Sequence, residues 1–295
     1  MKKLYLTCCR VGVLMGAIAS LSFANIAMAE GAIKLCTGSE GGAYHFAGER
    51  IAEKAKNIDI ELVVDTGGTM ANIELALDGD CDAFIGQQDG ISKLKRSDKN
   101  AAFKLKRVAL LHKEYAHFIC NKESGIDAIT DIEGNAEYSI DLISDSSGGA
   151  VTWANFVAED DGYAAVKKVY SEDAYTAASN VASGETTCML LVSGIGSGAI
   201  GEIDTDMGSD LILANATDKD FNDALDTKGK PLYEFDEISK TYEVNLQTGF
   251  WASVETVSMR AAVYINKTKI KGKDLKQFIR AVNKAKDVIR SEFDR

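Results

Sequence analysis

A strand that passes through a glycine-rich turn into an amphipathic helix recurs along this chain, and it limits the possible folds more than any other feature. The first instance is CTGSEGGAYHFAGERIA, residues 36–52. Such a turn places unpaired backbone N–H groups and the positive end of a helix dipole at the carboxyl end of a strand. This arrangement suits a carboxylate, a phosphate or another electron-rich group.

Three more polar turns follow strand-like segments: DTGGTMAN at residues 65–72, GQQDG at 86–90 and SDSSGG at 144–149. Trp153 lies one turn into the helix that the last of them opens. A single turn of this kind is compatible with an ordinary helix start that binds nothing. Four such turns at the carboxyl ends of strands favour convergence on one ligand-binding cleft.

Short runs rich in Val, Ile and Leu alternate with segments of period near 3.6, which predicts an α/β protein with largely parallel sheets. The order of strand, glycine turn, helix, strand, helix, glycine and strand occurs once in each half of the chain. We therefore expect two α/β lobes that face each other across a cleft. Short crossover strands are predicted near residues 118–125 and 250–260. Lobe I comprises residues 30–121 and 257–295, and lobe II comprises residues 122–256.

The first 29 residues have the pattern of a cleaved secretory signal. A basic start precedes an apolar segment, and Ala-Met-Ala at 27–29 is the cleavage motif. The apolar segment is shorter than the roughly 20 residues that span a bilayer, and no later segment reaches that length. We expect a periplasmic protein that begins at Glu30, does not insert into the membrane and is a monomer.

The chain without this signal is strongly acidic. It keeps 33 − 3 = 30 basic residues against 44 acidic ones, a net charge of 30 − 44 = −14. This balance argues against nucleic acid or an anionic lipid surface as a partner, because either would need a basic face.

Four cysteines follow the signal: Cys36, Cys81, Cys120 and Cys188. Export to an oxidising compartment permits one or two disulfides, but four cysteines allow three pairings. Buried free thiols are an equally reasonable alternative. None of the four belongs to a C-x-x-C pair, so we predict no metal site.

Three segments together resemble a known family: TGSEGGAYHFAGERIA, then DTGGTMANIELALDGDCDAFIGQQD, then LLHKEYAHFICNKESGIDAITDIEG. They are similar to the TAXI family of extracytoplasmic solute receptors, which serve tripartite ATP-independent periplasmic (TRAP) transporters. The matches run from Gly38 to about Asn266. The resemblance implies a type II periplasmic-binding-protein fold, with two α/β lobes joined by two crossover strands and a central cleft that closes on a ligand. It also implies the membrane subunits of a TRAP-type transporter as partners, and no cofactor.

Carried over by position, the resemblance assigns three ligand loops to the first lobe and a fourth group of residues to the second. The first loop contains Ser39, Gly41, Gly42 and Tyr44, the second contains Thr66, Gly67, Thr69 and Asn72, and the third contains Gln87 and Asp89. The second lobe would contribute Ser146, Ser147, Gly148 and Ser193, with Asp145 and Trp153 as further candidates.

This chain departs from the family pattern at three places. Ala43 stands where threonine is usual, His45 replaces a tyrosine, and Asp145-Ser146-Ser147 replaces a proline-glycine-serine run. Relatives are associated with glutamate, glutamine and related dicarboxylates. Asp145 or Asp89 beside the ligand would repel a second carboxylate and attract an ammonium group, which favours an amino acid over a plain dicarboxylic acid. This argument fails if Asp145 only caps the helix that follows it.

Other motifs give little support to an enzyme. GSGAIG at 196–201 matches a dinucleotide fingerprint, but only about ten residues separate it from the next strand, too few for the usual crossover helix. The three histidines form no H-E-x-x-H motif, and G-x-S-x-G does not occur. We predict a non-enzymatic solute-binding protein that takes a small carboxylate-bearing ligand, such as glutamate or glutamine, to a TRAP-type transporter. A periplasmic sensor for a membrane receptor, an enzyme on the same scaffold and a scaffold protein with a degenerate cleft are the alternatives.

Overall fold

The computed structural model describes residues 31–226, 228–239, 246–247 and 253–294. The predicted signal at residues 1–29 and the start of the second predicted crossover, at residues 250–252, lie outside these ranges. Within the described chain, no helix has both the length and the apolarity that a membrane span requires.

Strands and helices alternate along the described chain. The strands are β1 (Ile33–Cys36), β2 (Ile60–Val63), β3 (Ala83–Gln87), β4 (Leu105–Asn121), β5 (Ser139–Asp141), β6 (Lys167–Val169), β7 (Cys188–Ser193), β8 (Leu211–Ala214), β9 (Glu234–Ile238) and β10 (Val254–Asn266). The α-helices are α1 (Ala43–Lys54), α2 (Thr69–Asp78), α3 (Gln88–Ser97), α4 (Lys99–Lys104), α5 (Gly148–Glu159), α6 (Ala174–Ala182), α7 (Gly198–Met207) and α8 (Gly272–Phe293).

One mixed sheet contains the strands in the order β2-β1-β3-β10-β4-β7-β5-β6, with β8 paired to β4 and β9 to β10. The expectation of a largely parallel sheet is wrong. β1 runs parallel to β2 and β3, and β5 runs parallel to β6 and β7, but every pair that involves β4 or β10 is antiparallel. The long strands β4 and β10 thus lie between two small parallel groups.

β4 and β10 belong to the cores of both halves of the molecule. In β10, Val257 and Met259 pack with Trp153 and the second half, whereas Val263 and Ile265 pack with α1 and α8 in the first half. The sequence predicted a short crossover strand near residues 118–125, whereas the structure has one long strand, β4, over Leu105–Asn121. Polar residues His112, Lys113 and Glu114 interrupt the apolar pattern there, which hides the continuity of the strand.

Two helices differ from the sequence-based expectation. GQQDG was expected to be a turn, but α3 begins directly after β3 with Gln87 as its N-cap. A ten-residue helix, α7, begins at Gly198 inside the glycine-rich segment 196–201 and ends before β8. The expectation that this interval is too short for a helix is therefore wrong, because ten residues suffice for a short connection to a strand that pairs with β4.

Two disulfides connect the four cysteines, Cys36 with Cys81 and Cys120 with Cys188. The first joins the end of β1 to the segment before β3. The second links directly opposite positions of β4 and β7. All four side chains are buried, so the disulfides belong to the hydrophobic cores.

Candidate functional site

A cavity of about 650 Å³ opens where the polar turns after β1, β2, β3, β5 and β7 come together. The N-cap residues of five helices line it: Gly42 of α1, Gly68 of α2, Gln87 of α3, Ser147 of α5 and Asp173 of α6. The positive ends of five helices therefore lie at one cavity. Gly42 and Gly68 offer no side-chain cap, so N–H groups in the first turns of α1 and α2 can be satisfied by a ligand, except that of Met70, which donates to the Ser146 carbonyl.

The turn before α2 requires its two glycines. Gly67 and Gly68 have φ values of 87° and 110°, which a residue with a Cβ rarely adopts. A Cβ on Gly68 would also lie 3.2 Å from the carbonyl oxygen of Ser146 in the opposite half. The backbone of this turn can thus approach the second half closely only because it carries no side chains.

Most of the residues predicted from the sequence line this cavity: Ser39, Gly42, Tyr44, Gly67, Thr69, Gln87, Ser146, Ser147, Gly148 and Ser193. They come from both halves of the sheet. Convergence of the polar turns on one cleft is therefore a feature of the fold.

The other predicted residues lie outside the lining, and several have structural tasks. Asn72 is buried beneath the cavity, where its amide donates to the carbonyl oxygens of Thr37 and Ile85. Trp153 is 1% exposed and packs edge-on against Tyr163 in the core of the second half. Both side chains hold the site's framework and do not face the cavity.

Gly41, Thr66 and Asp145 also lie beside the cavity and not in its wall. Gly41 is exposed, and its N–H donates to Nδ1 of His45 at 3.0 Å. Thr66 is half-buried, and its hydroxyl has no hydrogen-bond partner in the described chain. Asp145 is exposed and does not cap α5, whose cap is the Ser147 hydroxyl that accepts from Ala150 N–H.

Asp89 is fully buried behind the cavity, between the two halves. Its Oδ2 accepts hydrogen bonds from Thr152 at 2.7 Å and from Tyr233 at 3.0 Å. Burial raises the pKa of Asp89 to about 6 despite these donors. The argument that Asp145 or Asp89 contacts a ligand's ammonium group therefore finds no support in the geometry.

The sequence analysis missed Glu114, a buried acid that does line the cavity. It lies on β4, and its Oε2 accepts a hydrogen bond from the Tyr44 hydroxyl at 3.0 Å. Burial raises the pKa of Glu114 to about 8. Position 114 carries no local signal in the sequence, because it lies inside a long strand and not at the strand end where ligand residues were sought.

Ile143 is a second residue of the cavity wall that the sequence did not indicate. Its φ of 67° lies in the left-handed region, which is exceptional for a β-branched residue. The Asp141 carboxylate accepts from its N–H at 2.8 Å, and its carbonyl accepts from Ser171 N–H at 2.9 Å. Strain of this kind costs about 1–3 kcal/mol and is often found at binding sites.

The cavity wall contains acids but no basic side chain. Glu114, Glu172 and Asp173 line it, and none of the described lining residues is Lys, Arg or His. Negative groups of a ligand would therefore have to be bound by helix N-termini and hydroxyls, and positive groups by carboxylates.

Hydrogen bonds join the two halves across the mouth of the cavity. The Ser146 hydroxyl donates to the Gly67 carbonyl at 3.2 Å, and Met70 N–H donates to the Ser146 carbonyl at 3.4 Å. Deeper in the molecule, Asn155 donates to the Asp89 carbonyl at 3.3 Å. The structure is thus a closed arrangement in which the loops of both halves touch.

Known structures of the same architecture place this fold in a class. The ligand-binding core of GluR0 in complex with L-glutamate aligns with a TM-score of 0.54 and 12% identity, over 89% of this chain and 96% of that one. An amino acid ABC transporter substrate-binding protein, AbpA from Streptococcus pneumoniae bound to L-arginine, aligns with a TM-score of 0.51 and 12% identity, over 89% and 90% of the two chains.

A TRAP periplasmic solute-binding protein from Anaerococcus prevotii with bound D-glucuronate gives a TM-score of 0.52 at 11% identity, over 89% of this chain and 80% of that one. The fold is that of a type II periplasmic binding protein. The chain belongs to the NMT1-like family, whose model matches residues 35–274. No curated protein has a sequence that matches this chain.

Proposed function

We propose that this protein is an extracytoplasmic solute-binding protein that captures a small carboxylate-bearing ligand by closure of its two lobes. The observation that carries the proposal is the convergence of five helix N-termini from both halves on one cavity. Backbone N–H groups at helix N-termini bind carboxylates without any basic side chain. We propose the residues that line the cavity as the ligand-contacting residues.

Closure follows from the position of these contacts. A ligand held by Thr69 on one side and Ser147 on the other makes its full set of contacts only when the halves meet. It therefore binds the closed state more tightly and shifts the population toward it. Hydrogen bonds such as Ser146 to Gly67 exist only in that state and add to its stability.

We further propose that the closed protein delivers its ligand to the membrane subunits of a TRAP-type transporter in the periplasm. The ordered glycine motifs that resemble the TAXI family support this step, as does the likeness of the fold to a TRAP periplasmic solute-binding protein. Uptake of ligand into proteoliposomes that contain candidate TRAP membrane subunits should depend on this protein. Uptake that is equally fast without it would contradict the delivery step.

The binding step is tested by thermal unfolding against a broad panel of small solutes that includes amino acids, 2-oxo acids, dicarboxylates, sugar acids and neutral sugars. The protein is first unfolded and refolded to remove any ligand carried through purification, and the released material is identified by mass spectrometry. A ligand at about 100 times its dissociation constant stabilises the fold by about 2.7 kcal/mol. Small-angle scattering should show a smaller radius of gyration with the same ligand.

The expected result is a saturable increase in unfolding temperature with a carboxylate-bearing solute, together with a smaller radius of gyration. Binding of only neutral sugars would contradict the carboxylate assignment. A complete lack of released or added ligand would contradict the solute-binding function itself.

A further inference from the structure

Glu114 is a buried acid in the wall of the cavity, and no Lys or Arg of the described chain forms an ion pair with it. Its side chain is only 6% exposed, and its one hydrogen bond among the described residues comes from the Tyr44 hydroxyl. The nearest imidazole nitrogen, Nε2 of His112, lies 3.9 Å from Oε1. Burial lowers the pKa of His112 to about 4, so this ring is neutral at pH 7 and supplies no charge.

Burial keeps this carboxyl largely protonated in the free protein, because its ionised form is costly without a cation beside it. Buried charges in proteins are almost always paired or bound to a cation, because desolvation is not repaid otherwise. None of the described residues in the cavity wall is Lys, Arg or His. Within the described chain, a cation that pairs with ionised Glu114 can therefore come only from the molecule that fills the cavity.

Gln87 adds an independent indication. Its side chain lines the same cavity and is 1% exposed, and its Oε1 has no hydrogen-bond partner in the described part of the chain. A buried acceptor without a donor loses about the strength of a hydrogen bond. The cavity thus presents two open acceptors, one of them a carboxyl, beside the N–H donors of the helix ends.

We propose that Glu114, assisted by Gln87, binds the ammonium group of the ligand while the helix N-termini bind its carboxylate, so that the site takes α-amino acids. This inference rests on the proposed solute-binding function and names its substrate class. It moves the ammonium contact from Asp89 and Asp145 to a residue that the structure places in the cavity wall. A 2-oxo acid would leave the Glu114 carboxyl without a cation.

Matched pairs of ligands test the assignment directly. L-alanine and pyruvate, L-leucine and 4-methyl-2-oxopentanoate, and L-glutamate and 2-oxoglutarate each differ at Cα, where the ammonium group of the first is an oxo group in the second. Calorimetric titration of the refolded protein should show that the best-bound amino acid binds at least about 30-fold more tightly than its 2-oxo counterpart. Tighter binding of a 2-oxo acid would overturn the proposal and would assign Glu114 as a protonated donor.

The variant Glu114→Gln keeps the size of the side chain and removes its charge. We expect it to weaken amino acid binding by about 30-fold or more and to reduce the preference over the 2-oxo acid to less than about threefold. Glu61→Gln is the matched control, because Glu61 also lies in a strand, β2, but is exposed to solvent and does not line the cavity. It should change either affinity less than about threefold, since an exposed charge contributes little.

The number of protons released on ligand binding is a further measurement, and it would not depend on Glu114 if that residue had only a structural role. Three titratable groups act on Glu114: Tyr44 from α1, Asp89 from α3 and His112 from its own strand. Burial and the Asp89 charge hold Glu114 largely protonated at pH 7 in the free protein, and an arriving ammonium group favours its ionised form. Amino acid binding should therefore release up to one proton, measured by calorimetry in phosphate and in Tris, and Glu114→Gln should abolish the release.

The outcomes separate this inference from the function on which it rests. If a solute without an ammonium group is the best ligand, or if Glu114→Gln binds amino acids as tightly as the parent protein, the ammonium assignment is wrong and solute binding stands. If Glu114→Gln does not fold, the ligand pairs and the proton release of the parent protein still decide the question. If no solute binds at all, both proposals fail together.

Discussion

The Thr152 hydroxyl donates a 2.7 Å hydrogen bond to the Asp89 carboxylate, and this contact joins α5 in one half of the molecule to α3 in the other. Tyr233 donates to the same oxygen at 3.0 Å. Asp89 is fully buried, and its other oxygen has no hydrogen-bond partner among the described residues. The two halves are thus held together by an acid whose ionised form is poorly solvated.

The stability of the closed protein should therefore fall as the pH rises through the pKa of Asp89. Burial raises this pKa from 3.8 to about 6, so the folded state binds the proton more tightly than the unfolded state. The stabilisation of the folded state by the proton on Asp89 is fully present below about pH 4 and is lost between pH 4 and 6. A shift of this size corresponds to about 3 kcal/mol. Asp89→Asn cannot ionise at this position, so its free energy of unfolding should not show this fall between pH 4 and 6.

Urea unfolding of the parent protein and of Asp89→Asn at pH 4, 5, 6 and 7 measures the effect. The pKa of Glu114 is raised to about 8 chiefly by burial, which is the same in both proteins, so this main part of its effect cancels in the comparison. The difference in unfolding free energy should shift in favour of the variant as the pH rises to 7. Parallel curves for the two proteins would show that Asp89 titrates normally.

The sequence predicted the cavity better than it predicted the sheet. Glycine turns at strand ends have a local signature, and residues such as Gly42, Gly67 and Gly148 do line the cavity. Strand direction depends on pairing between distant segments, so the antiparallel strands β4 and β10 could not be recognised from local pattern. Val254–Asn266 alternates poorly because most of its side chains are buried in a core on either face.

Glu114 shows the limit of the same reasoning for the site. Its function depends on β4 passing beneath the cavity and on Tyr44 reaching it from α1, a separation of 70 residues. Trp153 shows the opposite error, because its place one turn after a ligand loop is compatible with the cavity or the core. Only packing against Tyr163 decides for the core.

Gly148→Ala should weaken ligand binding more than it weakens the fold. An added Cβ would lie 2.8 Å from Nε2 of Gln87, so the Gln87 amide must move within the cavity wall. Overpacking of this kind costs about 1–3 kcal/mol, which corresponds to about 5- to 150-fold in affinity. Calorimetric titration with the ligand that the thermal-unfolding screen identifies measures the loss of affinity.

Gly198→Ala is the matched control for that substitution. Gly198 is also the first residue of a helix, but an added Cβ there would meet no atom within 4 Å. Affinity should stay within about twofold of the parent protein. An equal loss of affinity in both variants would show that glycine flexibility matters and not the contact with Gln87.

Gly149→Ala should damage the fold itself. Its Cβ would lie 2.1 Å from the carbonyl oxygen of Leu190, so α5 would have to move away from β7. We expect the free energy of unfolding to fall by more than about 2 kcal/mol, measured by urea titration with circular dichroism. Gly201→Ala in α7, where the added Cβ meets nothing within 4 Å, should stabilise the protein by about 0.5–1 kcal/mol. Equal stability of the two variants would contradict close packing of α5 on β7.

The two disulfides should stabilise the protein by similar amounts. They close segments with sequence separations of 45 for Cys36 with Cys81 and 68 for Cys120 with Cys188. Because the entropy of loop closure grows only with the logarithm of length, this difference changes the expected effect by about 0.4 kcal/mol. Replacing either pair by alanine should lower the free energy of unfolding by about 2–4 kcal/mol.

Since all four of these cysteines are buried, dithiothreitol should leave the native protein oxidised and reduce it only when urea is added. Rapid alkylation of the native protein after mild reduction would show that the disulfides are accessible, against the burial seen in the structure.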